Sequence, residues 1–324
     1  MGYEAGKGGT TSAPYSSGQY GTAVGYQAGY SFTTTSVTAF GYQAAYTSTT
    51  GGGVHIGYRA GYSQTSGGGN VSVGNNALYS NQTNVYNVAI GQSALYDLAG
   101  SSLDGNVAIG YEAGKNAQVD TGTIMIGYRA GIVKQGHSSI SIGYEAGLSS
   151  RSGGMIAIGR DAARGVGNHT QSGVVIGYQA GMRAASGSAS AVTAVGYRAG
   201  YQMSGSNDFL GYQAGYGSVV SAPYGSGQKN VGIGTNTLYA LSTGNYNTAV
   251  GRDAGLAITT ANYNTFVGAW AGDAVTAGGY NTVLGFQAFS AASSDSSFNL
   301  SSSDKLTSFN LSSTSLIFLS IKKL

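Results

Sequence analysis

"NVAIGYEAGKNA", residues 106–117, decides how this chain is read. Gly110 to Lys115 spells G-x-x-x-G-K, one residue short of the phosphate-binding G-x-x-x-x-G-K-[ST], and Asn116 stands where a hydroxyl residue is required. A nucleotide loop would occur once, whereas a structural rung would recur. The stretch recurs: a glycine preceded by a bulky apolar residue opens the same motif seventeen times, from Gly2, Gly25 and Gly41 through Gly110 and Gly127 to Gly268 and Gly285. Fourteen of the sixteen spacings lie between 15 and 19 residues, and the other two are both 23. At the register of Lys115 the other copies mostly carry something else, including Tyr, Leu, Ile and Met, so no lysine is reserved for phosphate.

The columns of this repeat predict a short strand followed by a turn. Immediately before the glycine stands Val, Ile, Leu or Phe in all sixteen complete copies, and three before it Val, Ile or Thr in fifteen, with Asp208 the exception. Such alternation of β-branched residues reads as a strand with those two columns inside and the intervening column outside. Asn stands four before the glycine in eight copies, among them Asn70, Asn106 and Asn247. Ala follows three after it in sixteen of seventeen, Thr237 being the exception, and a polar residue such as Glu112, Arg129, Glu145 or Asp161 stands two after it in sixteen. That polar column is expected to face water, with Glu112, Arg129 and Glu145 stacked in alternating sign.

One such unit buries too little to offset the entropy of ordering it, so copies must stack and share ladder hydrogen bonds. The predicted fold is all-β, a parallel β-solenoid or β-roll of about 17 short repeats spanning residues 1–289. At ~4.8 Å per coil the rod would be about 80 Å long. With few large residues per coil its core is thin, and side-by-side packing of several chains is expected.

Composition agrees. Gly is 56 of 324 residues and charged residues are 8%, against a usual ~25%, which fits no ordinary enzyme domain. A net charge of +3 provides no basic footprint for nucleic acid. Cysteine is absent, which removes disulfides and thiolate metal sites. The opening "MGYEAGKGG" has neither the basic nor the apolar region of a secretory signal, and the longest apolar run, "LIFL" at Leu316, is far short of the ~20 residues of a transmembrane helix.

"NVAIG", "NTAVG", "NTFVG" and "VAIGYEAG" resemble the head repeats of trimeric autotransporter adhesins, and "NVAIGQSALY" and "GYQAGY" are similar to repeats in phage tail-fibre shafts. The resemblance extends over the whole array and is specific through its repetition. It implies a left-handed, trimeric β-roll and a role in surface attachment.

Little in the chain points to catalysis. His55, His137 and His169 fall at unlike registers with no metal-ligand spacing, and read as solvent-facing or loop residues. No cofactor, metal or catalytic residue is expected. Tyrosine, at 25 copies, is the notable residue. Ten lie one after the glycine, eight lie five after it and five lie five before it. Where the first position lacks Tyr, as at Asn75, Gln92 and Thr235, the fifth supplies it, as though one ring filled a shared space. Tyr111, Tyr128, Tyr144, Tyr178, Tyr197 and Tyr212, with Trp270 in the polar column, form a candidate stripe. It reads either as a stacked ladder or subunit interface, or as a glycan-binding platform. Sequons at Asn70, Asn81, Asn168, Asn299 and Asn310 matter only in a glycosylating host.

Both 23-residue spacings carry a matched insertion, "SAPYSSGQ" at Ser12 and "SAPYGSGQ" at Ser221, with the only prolines. These read as a duplicated surface loop or a docking site. Residues 290–324 are Ser-rich, repeat "SFNLSS" at Ser297 and Ser308, and read as a cap, an assembly strand or a disordered tail. The expectation is thus a non-enzymatic structural fibre or adhesin-like homo-oligomer, a trimer or filament, extracellular or on a cell or virion surface, contacting a surface glycan or receptor. The alternative is a carbohydrate-binding module using its tyrosine stripe.

Overall fold

In a computed structural model, the chain is a parallel β-solenoid with sixteen strands in the repeat array, one per repeat, running from Thr22–Val24 to Thr282–Leu284. The structure describes residues 2–8, 21–32, 36–49, 52–98, 103–117, 121–132, 138–149, 153–165, 173–182, 192–203, 205–217 and 225–290, and the backbone of 297–300 and 309–310. Each strand pairs in parallel with the next at equivalent repeat positions, as in Val107↔Ile124, Ala108↔Met125 and Ile109↔Ile126. No helix occurs among the described residues.

The glycine column explains its own constancy. Gly110 has φ 132°, and a Cβ added there would lie 2.4 Å from the carbonyl oxygen of Gly127 in the next coil. The same wall meets Gly143 and Gly177, at 2.6 and 2.3 Å. Each glycine backbone packs directly on the next, so no side chain fits in between.

The turn that follows is laddered as well. Every residue of the polar column has a left-handed backbone, for example Glu112 at φ 51°, Arg129 at 53° and Trp270 at 57°. The fourth position after the glycine is also left-handed, in glycine (Gly114, φ 60°) and in leucine (Leu95, φ 47°) alike. This alternation sends successive amides to opposite neighbours. Arg129 N–H donates to Tyr111 O of the preceding coil at 2.8 Å, and Gly131 N–H to Ala146 O of the following one at 2.9 Å. Left-handed backbone costs an L-residue ~1–2 kcal/mol, which these ladder bonds offset.

The strand orientation reverses the sequence expectation. The column two before the glycine is the inward one: Ala108, Met125, Ser141, Phe209 and Phe266 are all fully buried. In all sixteen coils the columns one and three before the glycine are instead partly or fully exposed, as with Phe40 at 55%, Leu210 at 47% and Ile56 at 38%. Alternation alone cannot say which parity faces in; the alanine column, buried beside the inner strand residue, settles it. The core has room for small residues, and the bulky β-branched set is left outside.

Inside, volumes compensate between columns in the coils that carry a large residue. Where the inner strand residue is Phe209 or Phe266, the fourth position is Gly215 or Gly272, and a Cβ on either would lie 2.3 Å from the ring. Where it is Ser72, Ala89 or Gly232, the fourth position is Leu78, Leu95 or Leu238, all fully buried. Thr237, the one departure from the alanine column, sits beside Gly232 and donates to Gly234 O at 3.2 Å.

The asparagine column forms a buried ladder. Asn230, Asn247, Asn264 and Asn281 each donate both backbone N–H and side-chain Nδ2 to the Oδ1 of the asparagine one coil earlier, at 2.8–3.1 Å. Asn247 Nδ2 also donates to Ala261 O at 2.8 Å. Asn70, Asn87 and Asn106 make the corresponding backbone-to-Oδ1 chain, ending on Thr123 N–H at 2.9 Å.

Beyond the array, Ser297–Leu300 continues the sheet parallel to Thr282–Leu284, and Phe309–Asn310 pairs antiparallel with it. Both copies of the repeated tail segment thus contribute strand residues at the end of the array. The rest of the tail, Pro14, Pro223, His137 and His169 lie outside the described residues.

Candidate functional site

The tyrosines stack into ladders. One after the glycine, Tyr3, Tyr26, Tyr42 and Tyr58 are spaced 5.2–5.5 Å apart, Tyr111, Tyr128 and Tyr144 4.9–5.1 Å, and Tyr178, Tyr197 and Tyr212 5.0–5.2 Å. The solenoid rise nearly equals the stacking distance of aromatic rings, so a tyrosine repeated per coil stacks without adjustment. Arg160 interrupts this column, but its guanidinium lies 5.1 Å from the Tyr144 centroid and 6.0 Å from that of Tyr178, so a flat cation takes the place of the missing ring.

The fifth position builds a second ladder rather than filling the same space. Tyr30, Tyr46, Tyr62, Tyr79 and Tyr96 stack at 4.9–5.1 Å, and Tyr201, Tyr216 and Tyr239 at 4.9–5.1 Å. Coils such as those of Gly41 and Gly57 carry both rings, and Arg59 lies between the ladders, 5.2 Å from Tyr58 and 5.4 Å from Tyr62. Burial raises the Tyr62 phenol above its ordinary range, and neighbouring Tyr79 and Tyr46 add to the shift. A third ladder, Tyr246, Tyr263 and Tyr280, is spaced 4.9 Å apart and is solvent-exposed.

Of the stripe predicted from sequence, the six tyrosines are brought together and Trp270 is not. Trp270 meets Phe286 edge-on at 5.3 Å and lies under Arg252, also at 5.3 Å. Tyr111 to Tyr212 are 36–50% exposed, and the rings inside each run, Tyr128 and Tyr197, are stacked on both faces and expose only edges and hydroxyls.

The polar column does not simply face water. Arg129 bridges Glu112 at 3.5 Å and Glu145 at 3.0 Å, and Arg164 reaches Glu145 and Asp161, both at 3.0 Å. The predicted alternation of charge is present, yet Glu145 and Asp161 are buried at 4% and 3% exposure, each held by the guanidinium groups paired with it. Lys115, the lysine of the near phosphate loop, pairs with Glu112 at 2.6 Å.

His55 corrects a further expectation: it is fully buried in the inner strand column. Its Nδ1 lies 2.8 Å from Ser72 Oγ, its Nε2 has no partner, and burial lowers its pKa to about 4. Among the described residues no three His, Asp or Glu side chains gather as metal ligands, and no helix is long and apolar enough to cross a membrane. Sequons Asn70 and Asn81 are fully buried, with both Nδ2 groups donating to Asn84 O, so neither is open to glycosylation in the folded chain.

These features define a class, a parallel β-solenoid with external aromatic ladders. No protein-family model matches the chain, and neither a curated protein nor a solved structure matches it significantly.

Proposed function

We propose that the protein is a non-enzymatic structural fibre, adhesin-like in construction, in which several copies pack their exposed strand faces together into a stiff rod on a cell or virion surface. One observation carries this reading: outside the strands, the Val, Ile, Leu and Phe column runs unbroken along sixteen coils, flanked by a second outer column of Val, Ile or Thr in fifteen of them, with Asp208 the exception. A band about 10 Å wide and ~80 Å long covers roughly 800 Å². Lone soluble chains rarely expose a contiguous patch above a few hundred Å², and a standard interface removes about 800 Å² per partner. The band is thus as large as one side of a stable protein interface.

A second copy is the occupant that fits it best. A straight band repeating every coil is matched by another straight band with the same repeat, and identical chains supply that match at every rung. The resemblance to autotransporter head repeats favours three copies and a left-handed coil. The tyrosine column borders the band, where its hydroxyl edges would form a polar rim. The mechanism is geometric: stacked identical coils resist bending and hold whatever lies at one end at a fixed distance from the other. Negative-stain microscopy of the purified chain should show rods of about 80 Å or end-to-end multiples of them; uniformly thin single-chain particles would refute the bundled fibre.

A further inference from the structure

Aromatic platforms for sugars need a free ring face, and tyrosines inside a ladder have none. Faces are free only where a ladder stops. Two ladders stop one coil apart: Tyr212 is followed in its column by Thr235, and Tyr239, in the next coil, by Leu256. Tyr216 covers one face of Tyr239 at 4.9 Å and 3°. On the other side the shorter Leu256 leaves the outer half of the ring without a stacked partner.

A groove of about 360 Å³ opens at this point, with Tyr239, Ala240, Leu256 and Ala257 as its apolar floor and Gln213 and Asn236 as its polar wall. The volume matches that of small-ligand sites, which combine a mainly apolar lining with a few fixed polar groups. Asn236 is fixed in this way. Its Nδ2 donates to Asp253 Oδ1 at 2.9 Å, and Asp253 Oδ2 is held by Arg252 Nε at 3.1 Å. Arg252 in turn lies on Trp270, 5.3 Å from its centroid. This relay orients the amide and fixes Asn236 in the groove wall, with its Oδ1 enclosed by protein.

In other coils polar-column side chains bond across the rungs, as in Gln43 Nε2 to Gln27 Oε1 at 2.9 Å and Arg198 Nε to Gln179 Oε1 at 2.8 Å. No such bond joins Gln213 to Asn236. Two interruptions of the regular pattern therefore meet at this groove: a ring whose column ends and a polar column left open between Gln213 and Asn236.

We infer that this groove is a saccharide-binding site, taking one pyranose residue of a neutral glycan with its C–H face on Tyr239 and Leu256 and its hydroxyls on the Gln213 amide, beside the fixed Asn236. An apolar face edged with hydroxyls is what a pyranose presents. The wall has amides rather than a bare charge, which favours a neutral sugar. The groove belongs to the turn side of the coil, away from the apolar strand band, so the inference stands or falls apart from the fibre reading.

The test is an array of neutral oligosaccharides probed with the full chain, followed by titration of the strongest binder against three variants. Tyr239→Leu extends the Leu256 pattern by one coil and Gln213→Ala empties the wall; each should weaken binding about tenfold or more, the loss of one good contact. Tyr62→Leu, in the middle of the same column elsewhere, should leave affinity within about twofold, since its ring face is never free. Absence of binding by the unmodified chain would overturn the inference, and so would equal weakening by all three variants or retention by Tyr239→Leu and Gln213→Ala. Each variant's circular dichroism is compared with that of the unmodified chain.

Discussion

Replacing Gly143 by alanine should cost far more than the same replacement at Gly114, although both glycines have positive φ and both lie in the middle of the array. At Gly143 φ is 133°, and the new Cβ would lie 2.6 Å from Gly159 O and 2.7 Å from Gly159 C, backbone atoms of the next coil. Ordinary contact is ~3.5 Å, so the two coils would have to part by most of an ångström against a rise of ~4.8 Å. Strained backbone costs roughly 1–3 kcal/mol, overpacking about as much again, and each stretched ladder bond ~1 kcal/mol. Together these predict a loss of about 4–6 kcal/mol at Gly143. At Gly114 φ is 60°, and the Cβ would meet the flexible ends of Met125 and Leu95 at 2.8 and 2.9 Å. Moreover, Ala45 and Ala163 already occupy that column at φ 50° and 53°. The loss there should stay near 1–2 kcal/mol. Thermal melting, with hydrogen exchange read over Ile140–Ile142 and Ile156–Ile158, measures both. Equal losses at the two sites would refute the claim that the glycine column is a backbone-on-backbone contact.

Three further outcomes follow from the interior and the ladders. Asn247→Ala strips Ala261 O and Asn264 N–H of their partners, and at ~1–3 kcal/mol per buried orphan it should cost about 3–4 kcal/mol in chemical denaturation. His55 has a folded pKa of about 4, below its ordinary value, so protons bind the unfolded chain more tightly. Stability should be complete above pH ~6.5, fall as pH drops towards 4, and lose about 3 kcal/mol in all; His55→Met should remove that slope from denaturation midpoints measured across the window. Arg160→Tyr would join the ladders ending at Tyr144 and Tyr178 and should raise stability by ~0.5–1.5 kcal/mol, whereas a lower melting temperature would mean the guanidinium is the better spacer.

The fold was legible because period and alternation are written directly in the residues: sixteen glycine spacings, a β-branched strand and a constant alanine require stacked parallel coils. Which strand face looks inward was not. Val107 and Ile109 look like core by hydrophobicity, and Ala108 looks like a neutral filler, yet Ala108 is the buried one. The deciding fact is the narrowness of the coil, which nothing local in the sequence states. The left-handed polar column was hidden too, because Glu112, Arg129 and Trp270 are not residues that announce positive φ. Stacking in the tyrosine stripe could be read from its register. That stacking hides ring faces became visible only with inter-ring distances near 5 Å. The Asn236 groove was missed for a related reason: it is marked by a missing tyrosine, at Leu256, rather than by a motif.

The apolar strand band is the centre of this account, and the mass of the chain in solution tests it most directly. Sedimentation equilibrium on the full chain should give an integral multiple of 32.6 kDa, three if the adhesin-like arrangement holds. A stable, soluble species of 32.6 kDa across the concentration range would contradict it, since the band would then face water with nothing covering it.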